Sequence, residues 1–178
     1  MLLIRGGRVI DPVREVDEIM DVMIEGSQIV ETGKALKIPA DAEVIDATGL
    51  VVAPGLMDAH VHFRDPGLTY KEDIETGAAA AARGGFTTVV CMANTKPVVD
   101  NLETLSYVQE KGEQTPIHVL QAAAITKGLQ GKELVDMEAL ADAGAAGFTD
   151  DGIPLMDEKL LVQALEQAQA VGLPLAFH

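Results

Sequence analysis

Gly55-Leu-Met-Asp-Ala-His-Val-His-Phe-Arg-Asp-Pro-Gly67 is the stretch on which the reading of this chain turns. It reads as a strand running into a loop. Side chains two apart on a strand share a face, so His60 and His62 can direct ring nitrogens at one ion from the strand's C-terminal end. Two histidines with one residue between them arise often by chance, so the pair alone is a weak signal. Its weight comes from where it sits in the rest of the pattern.

Downstream of that stretch the chain repeats apolar strand, loop, helix. Strands are expected over residues 51–60, 87–92, 117–122, 145–149 and 173–178, and helices near 72–83, 102–111, 133–143 and 158–171. Such alternation implies a parallel sheet. The unbroken apolar runs Thr88-Val-Val-Cys-Met92 and Pro174-Leu-Ala-Phe177 suit strands buried on both faces, in a barrel or a doubly wound sheet. An eight-stranded barrel takes about 250 residues and only five strands are expected here, so the expected fold is an incomplete TIM-like (β/α)8 barrel. The competitor is a five-stranded flavodoxin-like sheet, which usually begins with its first strand. Here a β preface of about 50 residues comes first.

That preface consists of short alternating pieces, Leu2-Leu-Ile4, Val22-Met-Ile24, Gln28-Ile-Val30 and Glu43-Val-Ile-Asp46, punctuated by Gly6-Gly7, Gly26, Gly33 and Pro39. A hairpin turn is expected at Glu25-Gly-Ser27. The domain reading is therefore a small β domain of sandwich type over residues 1–50, and the first part of a barrel over residues 51–178.

In barrels, catalytic groups gather where strands give way to loops at the C-terminal face. Asp150 and Asp151 end the fourth expected strand, and His178 ends the fifth. A histidine pair, an acid and a further histidine at successive strand ends would converge on one rim. Each also has a plainer explanation. An Asp in a βα loop commonly caps the next helix or sits in a solvated turn, and His178 alone would be an exposed terminal ring. One of the two aspartates is expected to cap or orient and the other to ligate metal. His118 begins the third strand, away from that rim, and reads as structural.

Composition narrows the partners. With 28 acidic against 13 basic residues, the formal charge of −15 repels phosphate backbones and anionic headgroups, so neither nucleic acid nor a membrane surface is an expected partner. Apolar residues make up 48% of the chain, which argues for a globular α/β protein. No apolar run reaches the ~20 residues of a bilayer span, and no signal peptide is evident, so the chain reads as cytoplasmic. The single cysteine, Cys91, lies in an apolar run and reads as a small buried hydrophobe.

Pro54-Gly-Leu-Met-Asp-Ala-His-Val-His62 resembles the first-strand metal motif of the amidohydrolase superfamily, whose members also carry a preceding β domain. Within it, His60-Val-His-Phe-Arg-Asp-Pro-Gly67, Met92-Ala-Asn-Thr-Lys-Pro97 and Phe148-Thr-Asp-Asp-Gly152 resemble the dihydroorotases of the long, bacterial-type class. This resemblance implies zinc, one or two ions per subunit. His60 and His62 would bind one ion, an acid of the Asp150-Asp151 pair would bridge to a second site, and His178 would bind there. The bridge is assigned to Asp151. Arg64 and Asn94, with His62, fall where the family contacts substrate, and an arginine fork suits a carboxylate. Hydantoinases and allantoinases usually bridge their metals with a carboxylated lysine on the fourth strand. No lysine lies between Gly147 and Gly152.

The implied activity is interconversion of N-carbamoyl-L-aspartate and dihydroorotate in pyrimidine biosynthesis, by a homo-oligomer acting on a small molecule, with aspartate transcarbamoylase as a candidate partner. The family's sixth-strand histidine and eighth-strand aspartate have no counterpart here, so no catalytic proton shuttle is assigned and the chain alone is expected to be inactive. Two other readings stand beside it. One is a hydantoinase- or allantoinase-type hydrolase; the other is a non-catalytic scaffold of aspartate transcarbamoylase, for which a metal cluster has no use.

Overall fold

The glycine and β-branched grammar of the N-terminal stretch builds a single mixed sheet. The computed structural model describes residues 1–177, and the chain divides into two units, Met1–Pro54 and Gly55 onward. In the first unit, β1 (Leu2–Asp11), β2 (Val16–Glu25), β3 (Gln28–Gly33) and β4 (Glu43–Asp46) lie in the order β3-β2-β1-β4. A two-residue strand, β5 (Val51–Val52), pairs beside Arg8 and Val9 of β1. The β2–β3 hairpin turns at Gly26, whose φ of 58° is the left-handed conformation that glycine adopts without penalty. Register slips between Ile4 and Gly7, a bulge held by the buried Asp21 carboxylate. That carboxylate accepts from the Gly6 N–H at 2.8 Å and the Leu36 N–H at 2.9 Å.

One expectation changes here. Val51 and Val52, read from sequence as the start of the first barrel strand, belong to this sheet, because their backbone pairs in parallel with β1. Of the expected sandwich, the described residues form one five-stranded layer.

In the second unit, strands and helices alternate: β6 (Leu56–Val61), α1 (Ile74–Arg83), β7 (Phe86–Cys91), α2 (Leu102–Gly112), β8 (His118–Gln121), α3 (Met137–Asp142), β9 (Phe148–Thr149), α4 (Glu158–Val171) and β10 (Leu175–Ala176). Each helix starts where a short polar side chain caps its free N–H groups. Asp73, Asn101, Asp136 and Asp157 accept from Thr76, Thr104, Ala139 and Lys159 respectively. Helix α3 begins later than the expected residue 133, since the chain just before it is already paired. Lys127 N–H donates to the Glu133 carbonyl and Val135 N–H to the Ile125 carbonyl.

Strands β6, β7 and β8 pair in parallel in that order, as do β9 and β10. A parallel bridge between Ala123 and Phe148 joins the two groups, with Ala123 N–H to Gly147 carbonyl at 2.9 Å and Thr149 N–H to Ala123 carbonyl at 2.8 Å. Spatial order therefore follows chain order throughout. A flavodoxin-like sheet would reverse direction after its second strand. An arc with no reversal is what part of a (β/α) barrel requires.

Helices cover the arc through a continuous apolar core that includes Phe63, Ile74, Val89, Leu105, Ile125, Leu140 and Phe148. Cys91 sits in this core, where burial pushes its thiol up to about 12 and leaves it a poor nucleophile. Leu56 and Met57 on β6 are more than half exposed, and Leu120, Val162 and Leu165 are also open. These are positions a closed barrel would cover.

Candidate metal centre

Because the strands run parallel and in order, their C-terminal ends deliver side chains to one rim. His60 lies near the end of β6, with His62 just past it; Asn94 follows β7 and Asp151 follows β9. His60 Nε2 stands 3.3 Å from His62 Nε2. Asp151 Oδ1 lies 3.2 Å from the first and 3.7 Å from the second. Among the described residues, these three form the one group of His, Cys, Asp or Glu whose ligand atoms fall within 4.8 Å of one another.

The group fits a metal ion on chemical grounds. Asp151 Oδ1 is buried and accepts no hydrogen bond from another described residue, an arrangement that costs free energy unless a cation compensates it. Zinc bonds of about 2.0–2.2 Å to nitrogen and oxygen, opened to a tetrahedral angle, set ligand atoms ~3.3–3.5 Å apart. The three observed separations bracket that range.

Asp150 and Asp151 differ in their partners. The Asp150 carboxylate is buried and takes the Ile125 N–H at 2.8 Å, the Thr126 N–H at 2.9 Å and the Thr126 hydroxyl at 2.5 Å. It ties the loop after β8 to the end of β9. Asp151 turns the other way, its backbone in the left-handed region at φ 54° and its N–H on the Thr149 hydroxyl at 2.9 Å. Asp tolerates that conformation better than most residues, and strain of this kind concentrates at functional sites.

Arg64 occupies the loop after His62, also with positive φ (61°), and its carbonyl accepts from Leu68 N–H at 2.9 Å. Its guanidinium makes no hydrogen bond or ion pair with another described residue. His118 is exposed at the start of β8, the opposite end of the strands from the rim. His178 lies outside the described residues.

A support that sequence reasoning missed lies behind the loop. Asp65 is almost fully buried, and its carboxylate takes the Tyr107 hydroxyl at 2.9 Å and the Lys111 ammonium at 2.7 Å, both from α2. Hydrogen bonding to Asp65, then to Tyr107, holds the Lys111 ammonium above its ordinary value. Tyr107 and Lys111 are four apart on a helix and so share a face, which is legible; that Asp65 is their partner is not. On its inner side the loop packs on residues 94–97. Lys96 N–H donates to the Pro66 carbonyl at 3.0 Å, and a Cβ on Gly67 would stand 1.7 Å from the Lys96 carbonyl oxygen.

The parallel arc with a His-x-His pair and an acid at its C-terminal rim defines the class: an amidohydrolase-type barrel. Solved structures agree. The L-hydantoinase (dihydropyrimidinase) from Arthrobacter aurescens is similar in fold at a TM-score of 0.84 and 21% identity, over 99% of this chain and 40% of its own. The D-hydantoinase (dihydropyrimidinase) from Thermus sp. is similar at 0.79 and 27%, over 100% and 40%.

Within that class, the profile of the Dihydro-orotase-like family matches residues 49–178, and the chain belongs to that family. It is 60% identical to a dihydroorotase from Clostridioides difficile (strain 630) and 54% identical to one from Clostridium acetobutylicum, in each case over 100% of this chain and 42% of the relative. The chain thus spans about two fifths of the length of these relatives.

Proposed function

We propose that the polypeptide carrying this chain is a zinc-dependent dihydroorotase, a cyclic amide hydrolase that interconverts (S)-dihydroorotate and N-carbamoyl-L-aspartate in pyrimidine biosynthesis. One observation carries the reading: two imidazole Nε2 atoms and the buried Asp151 Oδ1, which accepts no hydrogen bond from another described residue, converge at metal-ligand separations. Relatives named dihydroorotase, at 60% and 54% identity across the whole chain, support the choice of substrate.

In this reading His60, His62 and Asp151 hold the first ion, with Asp151 and His178 serving a second. A bound divalent ion supplies Lewis acidity, which makes water a competent nucleophile near neutral pH and polarises a carbonyl. The chain's own residues bind and orient. Arg64 offers the substrate carboxylate a fork of donors that no other described residue occupies, and Asn94 a hydrogen-bonding amide. Hydrolysis adds water across the ring amide, breaking its C–N bond and passing a proton to the leaving nitrogen. No described residue is assigned that proton transfer, a contribution of order 10²–10⁴-fold. The 178-residue chain alone is therefore expected to be inactive.

The same reading assigns the five parallel strands to an eight-stranded barrel and the N-terminal sheet to one layer of a sandwich, each completed by the rest of a longer polypeptide. It further takes the enzyme to be a cytoplasmic homo-oligomer, with aspartate transcarbamoylase as its macromolecular partner. No helix among the described residues is long and apolar enough to cross a membrane, which is compatible with that assignment.

Turnover of dihydroorotate by the intact protein, lost on chelation and restored by zinc, tests the reading. A second reading, a hydantoinase-type enzyme, is favoured by the structural neighbours so named. Faster opening of hydantoin than of dihydroorotate by the intact protein would establish it instead.

A further inference from the structure

We propose that Asn94 is a positioning residue of the metal centre, whose amide selects which nitrogen of His62 and which oxygen of Asp151 face the ion. The inference rests on the metal-binding reading above and is independent of the substrate's identity.

The argument closes on hydrogen-bond polarity. An ionised carboxylate can only accept, so the contact of 2.5 Å between Asn94 and Asp151 Oδ2 requires the amide NH2 there. That orientation points Asn94 Oδ1 at His62 Nδ1, 2.9 Å away. A carbonyl oxygen also only accepts, so Nδ1 of His62 carries the hydrogen. A neutral imidazole has one N–H, and the lone pair is left on Nε2. His62 Nε2 is the atom that faces His60 Nε2 at 3.3 Å and Asp151 Oδ1 at 3.7 Å.

At Asp151 the same amide occupies Oδ2 and leaves Oδ1, the buried oxygen without a hydrogen bond from another described residue, toward the two histidines. One side chain thus sets both ligands, which follow β6 and β9, one place before and two places after the strand that Asn94 follows. The amide itself is fixed by its loop. Thr95 N–H donates to the Ala93 carbonyl at 2.9 Å, and the Thr95 hydroxyl to the Pro97 carbonyl at 2.7 Å. A primary amide has a second N–H, so Asn94 can hold the ligands while donating to an anionic substrate.

The test uses the intact protein, cobalt(II) as the probe, and nitrogen-15 NMR of the histidine rings at about pH 8.5, roughly two units above the value of a free imidazole. Asn94→Ala should weaken cobalt binding by roughly 10- to 100-fold, the usual effect of losing an outer-sphere partner. It should also change the visible cobalt spectrum and move metal-free His62 away from the Nδ1–H tautomer. Asn94→Asp keeps an acceptor and should retain that tautomer, which secures the test if the alanine variant does not fold. Wild-type cobalt affinity, spectrum and tautomer in Asn94→Ala, with only substrate KM raised, would overturn the proposal; so would an Nε2–H tautomer in Asn94→Asp. Failure of the unsubstituted protein to bind cobalt would instead overturn the metal reading, and the tautomer result would still decide the role of Asn94.

Discussion

His60 Nε2 stands 3.2 Å from Asp151 Oδ1, although two strands of the arc separate β6 from β9. Parallel strands in chain order put both residues on the same rim, His60 near the end of β6 and Asp151 just past β9. Replacing the acid by its neutral isostere isolates the charge. Asp151→Asn should lower zinc affinity by more than the roughly 10- to 100-fold typical of an outer-sphere partner, with little change in fold. Metal analysis after dialysis against a graded chelator checks it, and full zinc retention would count against a ligand role.

Arg64 follows His62 in the loop after β6, and its guanidinium pairs with no other described residue, which suits a carboxylate-bearing substrate. Arg64→Met should depress kcat/KM for dihydroorotate by ~10- to 100-fold, on the scale of about 1.5–3 kcal/mol for a lost charge-assisted hydrogen bond. Hydantoin, which lacks the carboxylate, should be affected far less. Equal losses on both substrates would remove Arg64 from substrate recognition.

The buried Asp65 depends on α2 for its partners. Lys111→Met should destabilise the fold by about 1–3 kcal/mol, since it leaves a buried carboxylate one donor short. The value is kept modest because the lysine side chain is 45% exposed and partly screened. The lysine pKa is raised in the folded state. Its contribution is therefore full below the unfolded value of ~10.4 and is lost as pH rises through the higher folded value. Denaturant titrations of both proteins should differ at pH 8 and converge at strongly alkaline pH.

Gly67 approaches the Lys96 carbonyl too closely for any side chain and has φ 84°. Gly67→Ala should cost at least ~1–3 kcal/mol from backbone strain alone and disturb both loops of the rim. A thermal melt showing an unchanged Tm would contradict the described loop packing.

Cys91 is predicted to be inert to a thiol reagent at pH 8 in the native protein, because burial raises its pKa to about 12. Reaction should become fast only in denaturant. Rapid labelling of the native state would show that the core around β7 opens.

The strand and helix sequence of the second unit was legible because apolar runs and polar caps recur there with the regularity of βαβ units. The rim was legible for the same reason: once strand ends are located, their side chains are located too. Sequence could not show that Val51 and Val52 pair with β1, since two valines read alike in either sheet. It could not show that β9 is only two residues long, because hydrogen bonds from Ala145 and Ala146 to Leu140 and Gln121 shape that segment. Asn94 was legible as a polar group at a strand end, but its hydrogen bonds to His62 and Asp151 follow only from three-dimensional proximity. The Asp65–Lys111 pair was hidden for the same reason.

The most direct test is the anomalous scattering of zinc in a crystal of the intact protein. The account predicts a peak at about 2.0–2.2 Å from His60 Nε2, His62 Nε2 and an Asp151 carboxylate oxygen. A zinc-loaded active crystal with its metal elsewhere, and these three side chains unligated, would contradict it.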